Sequence, residues 1–204
     1  MNGIATHFNA CHSNTDCQDP RCTAPRLSHR ECAARWRQMA HRTIEFVTCE
    51  FFDAPSAYEK IMAPTPRPEE TAHRRCAADA VKRPPAGTPP YLASLYQTPL
   101  LTPEQEFHLF RKMNFLNYRA ARLRDAVDAA NVTCRQLDTI EGLLKQAHSI
   151  RNQIVQANLR LVVSIARQFI DPANSFEDLV SEGNVPLIRA VEIFDFTRGY
   201  RFST

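Results

Sequence analysis

Between residues 102 and 194 the chain repeats apolar residues at helical spacing, and this pattern predicts three long amphipathic helices. In the middle helix the repeats come at steps of three and four, which places them on one side. That side consists of Val155, Leu159, Val162, Val163, Ala166 and Phe169. The other side is expected to carry Asn158, Leu161, Ile165 and Gln168. The helix should end near Asp171, because the residue before Pro172 is pushed out of the helical region.

The next helix is expected to start at Ser175, which is followed three residues later by Asp178. Such a pair predicts a capping box, in which each side chain bonds the backbone amide of the other residue. The predicted apolar stripe consists of Phe176, Leu179, Val180, Leu187, Ala190, Val191 and Phe194. The predicted opposite face consists of Asp178, Ser181, Glu182, Val185, Arg189 and Glu192. For an arbitrary helix, such a polar face is most often solvated surface.

The first of the three helices has an equally clear start. Thr102 is a favoured N-cap, Pro103 fits the first helical position, and Gln105 completes a capping box. The apolar stripe is Leu109, Met113, Leu116, Ala120, Leu123 and Val127, while Arg111, Lys112, Arg119, Arg122 and Arg124 fall largely off it. Residues 131–133 break the pattern. It restarts with Leu137, Ile140, Leu144, Ala147 and Ile154, and is expected to run into the helix that contains Asn158.

The last 47 residues contain three ordered blocks, namely NLRLVVSIA from Asn158, DLVSEGNVPLIRAVEIFDF from Asp178 and RGYRFST from Arg198. Together these blocks resemble region 2 of the sigma-70 family of bacterial transcription initiation factors. A fourth block, PPYLASLYQTPLLTPEQEFHLFRKM from Pro89 to Met113, is similar to region 1.2 of the same family. The resemblance implies an all-α fold, a helical bundle like that of sigma regions 1.2–2.2, over residues 89–204.

The resemblance also implies a polymerase-binding surface on the predicted helix after Ser175. In the family this helix docks on the clamp helices of the β′ subunit of RNA polymerase core. The matching positions here are Asp178, Glu182 and Asn184. The chain departs from the family pattern at Ser181, Pro186 and Ile188, where Gln, Gly and Met or Leu are usual. A proline in a helix interior costs about 3 kcal/mol, so a kink is expected at Pro186.

A second implied surface binds promoter DNA, specifically the non-template strand of the −10 element with two bases flipped out. By match, Arg198 and Tyr200 belong to the pocket for the upstream base. The downstream pocket takes Asn158, Leu161, Arg201 and Ser203. The alternative is that Tyr200 and Phe202 only pack a C-terminal hairpin against Phe194 and Phe196. That packing interpretation is favoured for Phe202, and for Tyr200 both remain open.

The first 88 residues are expected to form an N-terminal extension with a Pro-rich linker, partly disordered and separate from the domain at 89–204. A helix is predicted from Arg26 to Phe46, and seven of the 14 prolines lie between residues 63 and 90. The extension holds six of the seven cysteines, namely Cys11, Cys17, Cys22, Cys32, Cys49 and Cys76. No C-x-x-C pair occurs, so free thiols are favoured over a zinc site, and disulfides are not expected.

Composition and motifs exclude several classes of protein. There are only 5 glycines, with no Gly-rich phosphate loop and no nucleophile or metalloprotease motif, so no enzyme activity and no cofactor are predicted. No apolar stretch approaches the roughly 18 residues of a membrane span, and a cytoplasmic location is expected. The net charge of +3 is too small to indicate nucleic-acid binding by itself.

Two functions therefore follow from the sequence. The first is an RNA polymerase sigma factor, truncated, that acts in transcription initiation by binding core polymerase and promoter DNA. The alternative is a core-binding interaction module, or a gene fragment, without initiation activity. In the family, aromatic residues that open the duplex follow the last block, and this sequence ends before them, so a complete initiation cycle is not expected.

Overall fold

The computed structural model describes residues 29–65, 100–171 and 175–204, and over these residues the backbone is helical, with no strand. The helices are α1 (His29–Ala40), α2 (Ala57–Met62), α3 (Pro103–Asp125), α4 (Cys134–Ala166) and α5 (Phe176–Ile193), with 3-10 turns at Glu50–Asp53 and Phe196–Arg198. The predicted all-α class is confirmed. The first part of the region 1.2 block, most of the Pro-rich tract, and Cys11, Cys17, Cys22 and Cys76 lie outside the described residues.

Helix α3 begins as the sequence predicts. Thr102 Oγ1 accepts a hydrogen bond from Gln105 N at 3.2 Å, and Gln105 Oε1 accepts one from Thr102 N at 3.1 Å. The same reciprocal box starts α4, where Thr133 Oγ1 accepts from Gln136 N at 3.3 Å and Gln136 Oε1 accepts from Thr133 N at 2.9 Å. Both starts depend only on contacts three residues apart, and a capping box satisfies amide donors that a helix start leaves free.

The main core lies where α4 packs against α3, the most extensive helix pair among the described residues. Its members include Leu109, Phe110, Met113, Phe115 and Leu116 from α3, Ala147 and Ile154 from α4, and Val191 from α5. As predicted, α4 runs without a break through Asn158. The predicted stripe on α3 is incomplete at its end, because Leu123 is 37% exposed and the helix stops at Asp125, before Val127.

A second core joins the C-terminal half of α4 to α5. It contains Val162, Val163, Ala166, Val180 and Leu187. Gly183 makes this approach possible, since a Cβ atom at that position would lie 2.5 Å from Val162 Cγ1. Valine is branched at Cβ and has little rotamer freedom in a helix, so it cannot easily move aside. A glycine at 183 therefore sets how closely α4 and α5 pack.

Helix α4 ends earlier than predicted, at Ala166 instead of near Asp171. The chain tightens there into 3-10-type turns, in which Gln168 N donates to Ile165 O at 2.9 Å and Phe169 N donates to Ala166 O at 3.1 Å. The placement of Phe169 on the buried stripe is wrong, because its side chain is 61% exposed. The turn rotates Phe169 away from the direction that an ideal helix would give it.

Part of the N-terminal extension is folded against the helical domain. Phe52 and Ile61 are 5% and 0% exposed and belong to the main core, where the Phe52 ring contacts Phe115 at 5.4 Å between centroids. Asn114 on α3, 1% exposed, fixes the strand-like entry to this segment by accepting a hydrogen bond from Val47 N at 2.7 Å. These residues were expected in a partly disordered extension, and only long-range packing orders them.

Helix α1 confirms part of the predicted Arg26–Phe46 helix but ends at Ala40. After the end of α1, the backbone carbonyls of Arg42 and Glu45 accept hydrogen bonds from side chains of α3 and not from helix amides. Arg124 Nη1 donates to Arg42 O at 2.6 Å, and Asn117 Nδ2 donates to Glu45 O at 3.1 Å. These tertiary bonds satisfy backbone acceptors and so remove a reason to continue the helix.

The expectation of free thiols without disulfides is wrong for one pair of cysteines. Cys32 in α1 and Cys134, the first residue of α4, form a disulfide with a Cα separation of 5.7 Å. Cys49 is a free thiol. The two bonded residues are 102 positions apart in sequence, and nothing in the local pattern around either one indicates its partner.

None of the helices within residues 29–65, 100–171 and 175–204 is long and apolar enough to cross a membrane. Over the same residues, no group of three or more His, Cys, Asp or Glu side chains is arranged to hold a metal ion. Cys11, Cys17 and Cys22, for which free thiols are favoured over a zinc site, lie outside these ranges.

Candidate interaction surfaces

The start of α5 positions the first candidate polymerase contact. Ser175 Oγ accepts a hydrogen bond from Asp178 N at 3.2 Å, which confirms Ser175 as the N-cap. The predicted return bond differs, because the Asp178 carboxylate accepts from the Ser175 hydroxyl at 2.6 Å and not from a backbone amide. An acidic side chain in the first turn is favourable next to the partial positive charge of the helix start. Asp178 is therefore held in place yet exposed to solvent.

The outward face of α5 brings together two of the three predicted polymerase-binding residues. Asp178, Ser181, Glu182 and Val185 are exposed, and Val185 is 71% exposed. Asp178 and Glu182 lie one helical turn apart on this face. Asn184 is half-buried and points elsewhere, since two residues after Glu182 correspond to about 200° around the helix. We call Asp178, Ser181, Glu182 and Val185 the α5 acidic face.

Pro186 lies inside α5, and the helix is nevertheless continuous from Phe176 to Ile193. Proline has no amide to donate to the Glu182 carbonyl, which loses its helical partner. Both residues are exposed, so water can reach that carbonyl. The helix therefore continues through Pro186, and the kink expected there stays a prediction. Pro186 lies next to Val185 of the α5 acidic face.

Beyond the α5 acidic face, Glu45 of the N-terminal extension contacts the same side of the helix. Arg189 donates to both carboxylate oxygens of Glu45, at 3.2 Å to Oε1 and at a shorter distance to Oε2. These hydrogen bonds lower the pKa of the Glu45 carboxyl and raise that of Arg189. Glu192 completes the cluster, 3.6 Å from Arg189 Nη1 and bonded to Arg151 Nη1 at 2.7 Å. The four charges balance one another at this end of α5.

The segment after α5 is a 3-10 turn, not the predicted hairpin. Asp195 caps it by accepting hydrogen bonds from Thr197 N at 3.0 Å and from Arg198 Nε at 2.9 Å. The bonds from Thr197 and Arg198 lower the pKa of the Asp195 carboxyl. Gly199 follows with φ +74°, a left-handed conformation that glycine adopts without strain. Arg198 is thereby held at the surface, with its side chain 72% exposed.

The two aromatic residues after Gly199 have different surroundings. Phe202 packs against Phe194 and Phe110, with ring centroids 5.3 and 5.5 Å away. Tyr200 is 69% exposed. The packing interpretation is confirmed for Phe202, and it does not describe Tyr200, whose ring is available at the surface.

Arg201, assigned by resemblance to the downstream DNA pocket, is bound to a buried carboxylate. Its Nε and Nη2 atoms each donate to Glu106 Oε2 at 3.2 Å, and Nη2 also donates to Leu101 O at 3.2 Å. Glu106 is 5% exposed and accepts a further hydrogen bond from Phe202 N at 2.6 Å. Glu106 therefore ties the C-terminal segment to α3. Ser203, beyond this tie, is exposed.

Asn158 and Leu161, the other two residues of the predicted downstream pocket, lie on α4 and are half-buried. Asn158 Nδ2 donates to Ile154 O at 2.9 Å, within the same helix. Farther along, Ile165 and Phe169 are 55% and 61% exposed. The exposed groups are thus Ile165 near the end of α4, Phe169 beyond it, and Arg198 and Tyr200 in the C-terminal segment, whereas Asn158 is bonded within its own helix.

Two arginines of α3 lie over aromatic rings, and these cation–π contacts were not predicted from the sequence. Arg111 lies 5.3 Å from the Phe107 ring centre, and Arg119 lies 4.9 Å from that of Tyr58 in α2. Phe107 also contacts Phe196 with centroids 5.6 Å apart, so the contacts reach the C-terminal segment. The four-residue spacing from Phe107 to Arg111 was visible in the sequence, but the contribution of Tyr58 required the fold.

Comparisons with known proteins agree with this arrangement. Residues 154–204, which span the end of α4, all of α5 and the C-terminal segment, match the family model "Sigma-70 region 2". The chain is 37% identical over 119 residues to the RNA polymerase principal sigma factor HrdC of Streptomyces coelicolor, covering 56% of this chain and 34% of that protein. It is 37% identical over 125 residues to the RNA polymerase sigma factor SigA1 of Synechococcus elongatus, covering 56% and 31%.

A third relative, the RNA polymerase sigma factor SigA of Clostridium acetobutylicum, is 36% identical over 114 residues, which cover 56% of this chain and 22% of that protein. The chain thus spans about a third or less of the length of these three curated relatives. The ordered blocks, the helical fold and the family match all agree on one assignment. Residues 154–204 of the chain carry a sigma-70 region 2, and the aligned part of the chain is similar to RNA polymerase sigma factors.

Proposed function

We propose that this chain acts as an RNA polymerase sigma factor in DNA-templated transcription initiation, in the cytoplasm. It binds core polymerase through the α5 acidic face and the β′ clamp helices, and it binds the non-template strand of the −10 element through its C-terminal segment and α4. The observation that carries the proposal is that the matched helix presents Asp178 and Glu182 outward, one turn apart. These positions are available to a partner.

The chemistry of the α5 acidic face supports a basic partner helix. Two exposed carboxylates can each accept charge-assisted hydrogen bonds from arginine or lysine. Val185 lies between Glu182 and Arg189 and is 71% exposed, so it adds an apolar contact at the end of the face. Protein interfaces combine apolar and charged contacts in this way. Glu45 neutralises Arg189 and keeps that cation from opposing a basic partner.

Exposed groups near the C-terminus support a single-strand DNA surface. Tyr200 offers an exposed ring on which a base can stack, and base stacking on aromatic residues is worth about 1–3 kcal/mol per base. Arg198, beside it, is positioned by Asp195 and can meet a phosphate, which positions the strand without reading its sequence. Arg201 has a different part in the proposal, because its pairing with Glu106 anchors the segment that presents Tyr200.

Charge reversal tests the polymerase contact. The double variant Asp178→Lys with Glu182→Lys should weaken binding of the full chain to core polymerase by about 30-fold or more, since disrupting a buried charge contact costs about 2–5 kcal/mol. Glu177→Lys is the matched control, because Glu177 is exposed in the same first turn but faces about 100° away from Asp178. Equal affinities of the double variant and the unmodified chain in biolayer interferometry would reject the assigned face.

Stacking is tested with core polymerase and a fluorescent single-stranded oligonucleotide that carries the −10 element. Tyr200→Ala should weaken binding by roughly 5- to 100-fold in fluorescence anisotropy. Phe169→Ala is the control, because Phe169 is a comparably exposed aromatic residue outside the matched pocket positions. If both variants lose the same affinity, Tyr200 has no special role. Core binding without Tyr200-dependent strand binding would favour the alternative, a core-binding module without initiation activity.

A further inference from the structure

The disulfide between α1 and α4 has two unequal sulfur atoms. Cys32 is 4% exposed and lies in a small apolar cluster with Val132 and Leu137. Cys134 is only half-buried and is the first residue of α4. A reagent in solution can therefore reach the Cys134 sulfur, whereas the buried Cys32 sulfur is accessible mainly to Cys134.

The position of Cys134 also favours its reactive form. The amides at a helix start carry a partial positive charge, which stabilises a thiolate and increases its reactivity. Helix α4 is 33 residues long, and Cys134 lies in its first turn. Cys32 has a Cα atom 5.7 Å away, within the normal range for a disulfide, so it can resolve a modified Cys134 without movement of the backbone.

We propose that Cys32 and Cys134 form a reversible redox site that fastens the N-terminal extension to the helical domain. The oxidant is a low-molecular-weight disulfide such as oxidised glutathione. The Cys134 thiolate attacks it, forms a mixed disulfide and releases one thiolate. The Cys32 thiol then loses its proton and attacks the Cys134 sulfur, which releases the second thiol. In sum, two protein thiols and one small disulfide give one protein disulfide and two small thiols.

Besides the disulfide, α1 is held to the helical domain by one apolar cluster and by polar contacts. Met39 is 6% exposed and packs with Ala120, Ile140 and Leu144. Arg35 bridges to Asp138 and Glu141 of α4 at 2.8 and 2.9 Å, and Arg42, just after α1, contacts His148 Nε2 through Nη2 at 3.0 Å. Exposed or half-exposed polar contacts contribute little stability, so the apolar cluster is the main contact that holds α1 when the disulfide is reduced. A bond that closes a 102-residue separation restricts the unfolded chain strongly by comparison. Disulfides in a reducing compartment are mostly transient and redox-sensing.

The test uses the full chain in glutathione buffers that range from fully reduced to fully oxidised. After thiol alkylation, peptide mass spectrometry should find the Cys32–Cys134 cross-link increasing with the oxidised fraction and disappearing again when the buffer is reversed. The melting temperature should be several degrees higher in the oxidised state. Amide hydrogen exchange in residues 30–45 should be several-fold slower. No polymerase is present, so these results are independent of the proposed function.

Variants separate this pair from the other cysteines. Cys134→Ser should abolish the cross-link and make the melting temperature insensitive to the buffer, and Cys32→Ala should do the same. Cys49→Ser, which removes a free thiol, should leave the response unchanged. The proposal is overturned if Cys32 and Cys134 pair instead with Cys11, Cys17, Cys22 or Cys76, if no cross-link forms, or if it persists in excess dithiothreitol. Equal hydrogen exchange in both states would overturn the fastening.

Discussion

Glu106 on α3 holds Arg201 of the C-terminal segment through two hydrogen bonds of 3.2 Å, across 95 positions of sequence. The same carboxylate accepts from Phe202 N at 2.6 Å, so its two oxygens fix both a side chain and the backbone. Glu106 is 5% exposed and Arg201 supplies the compensating charge. The block similar to region 1.2 is thereby joined to the end of region 2.

Removing the cation of this pair is expected to be costly. Arg201→Gln leaves Glu106 as a buried carboxylate without its counter-ion. Because the Arg201 side chain is itself 45% exposed, the free energy of unfolding should fall by about 1–3 kcal/mol, the cost of leaving a buried polar group unsatisfied. Arg198→Gln breaks a surface pair with Asp195, whose side chains are 72% and 32% exposed, and should cost less than about 1 kcal/mol. Urea denaturation measures both. If both variants lose the same free energy of unfolding, the pair of Arg201 with Glu106 stabilises the fold no more than a surface pair does.

Replacing a helical glycine by alanine usually stabilises a protein, but Gly183→Ala is expected to destabilise this one. Gly183→Ala places a Cβ atom 2.5 Å from Val162 Cγ1, and such overpacking costs about 1–3 kcal/mol. Gly142→Ala is the control, because nothing lies within 4 Å of the added atom, and it should stabilise the protein by about 1 kcal/mol. Thermal unfolding should show Gly183→Ala melting lower than the unmodified protein, and adding Val162→Ala should recover part of the loss.

Pro186 is expected to weaken α5. Pro186→Ala restores a donor to the Glu182 carbonyl and should stabilise the protein by about 1–3 kcal/mol, and Pro186→Gly should gain about 1 kcal/mol less. Differential scanning calorimetry of the two variants gives the values. A lower melting temperature for Pro186→Ala would indicate that packing around the proline stabilises the native helix.

Two half-buried or buried histidines predict a loss of stability on mild acidification. His108 is 6% exposed, and its Nε2 atom lies 3.2 Å from Ala63 O. Burial, with help from Lys112 and Arg111, lowers the pKa of His108. Burial, with help from Arg151 and Arg42, likewise lowers the pKa of His148.

The sign of the effect follows from which state binds more protons. Below the unfolded pKa of about 6.5 the unfolded chain gains protons before the folded one, so stability falls as the pH falls from about 6.5 toward the folded pKa values. His108→Gln keeps a donor for Ala63 O and removes the titration, so its melting temperature should depend less on pH between about 7 and 5.5. His41→Gln, at an exposed position, is the control. Identical slopes for all three proteins would contradict the role of His108.

Local sequence was sufficient wherever the deciding contacts lie three or four residues apart. It predicted the helix starts at Thr102 and Ser175, because a cap and the amide that it binds are near neighbours in sequence. The outward position of Asp178 and Glu182 followed in the same way from helical periodicity. The apolar faces of the long helices could therefore be predicted without the structure, whereas the contribution of Phe52 and Ile61 to the main core could not.

Tertiary structure decided what depends on partners about 100 positions away. The pairing of Cys32 with Cys134, the capture of Arg201 by Glu106, and the end of α1 at Ala40 all arise from such partners. Each of these contacts joins two segments whose sequence patterns allow more than one way of packing together. The sequence by itself determined which segments become helices and which faces are apolar. Only packing of the whole chain determined which polar side chains are buried and paired, since that depends on the three-dimensional neighbours and not on spacing along the chain.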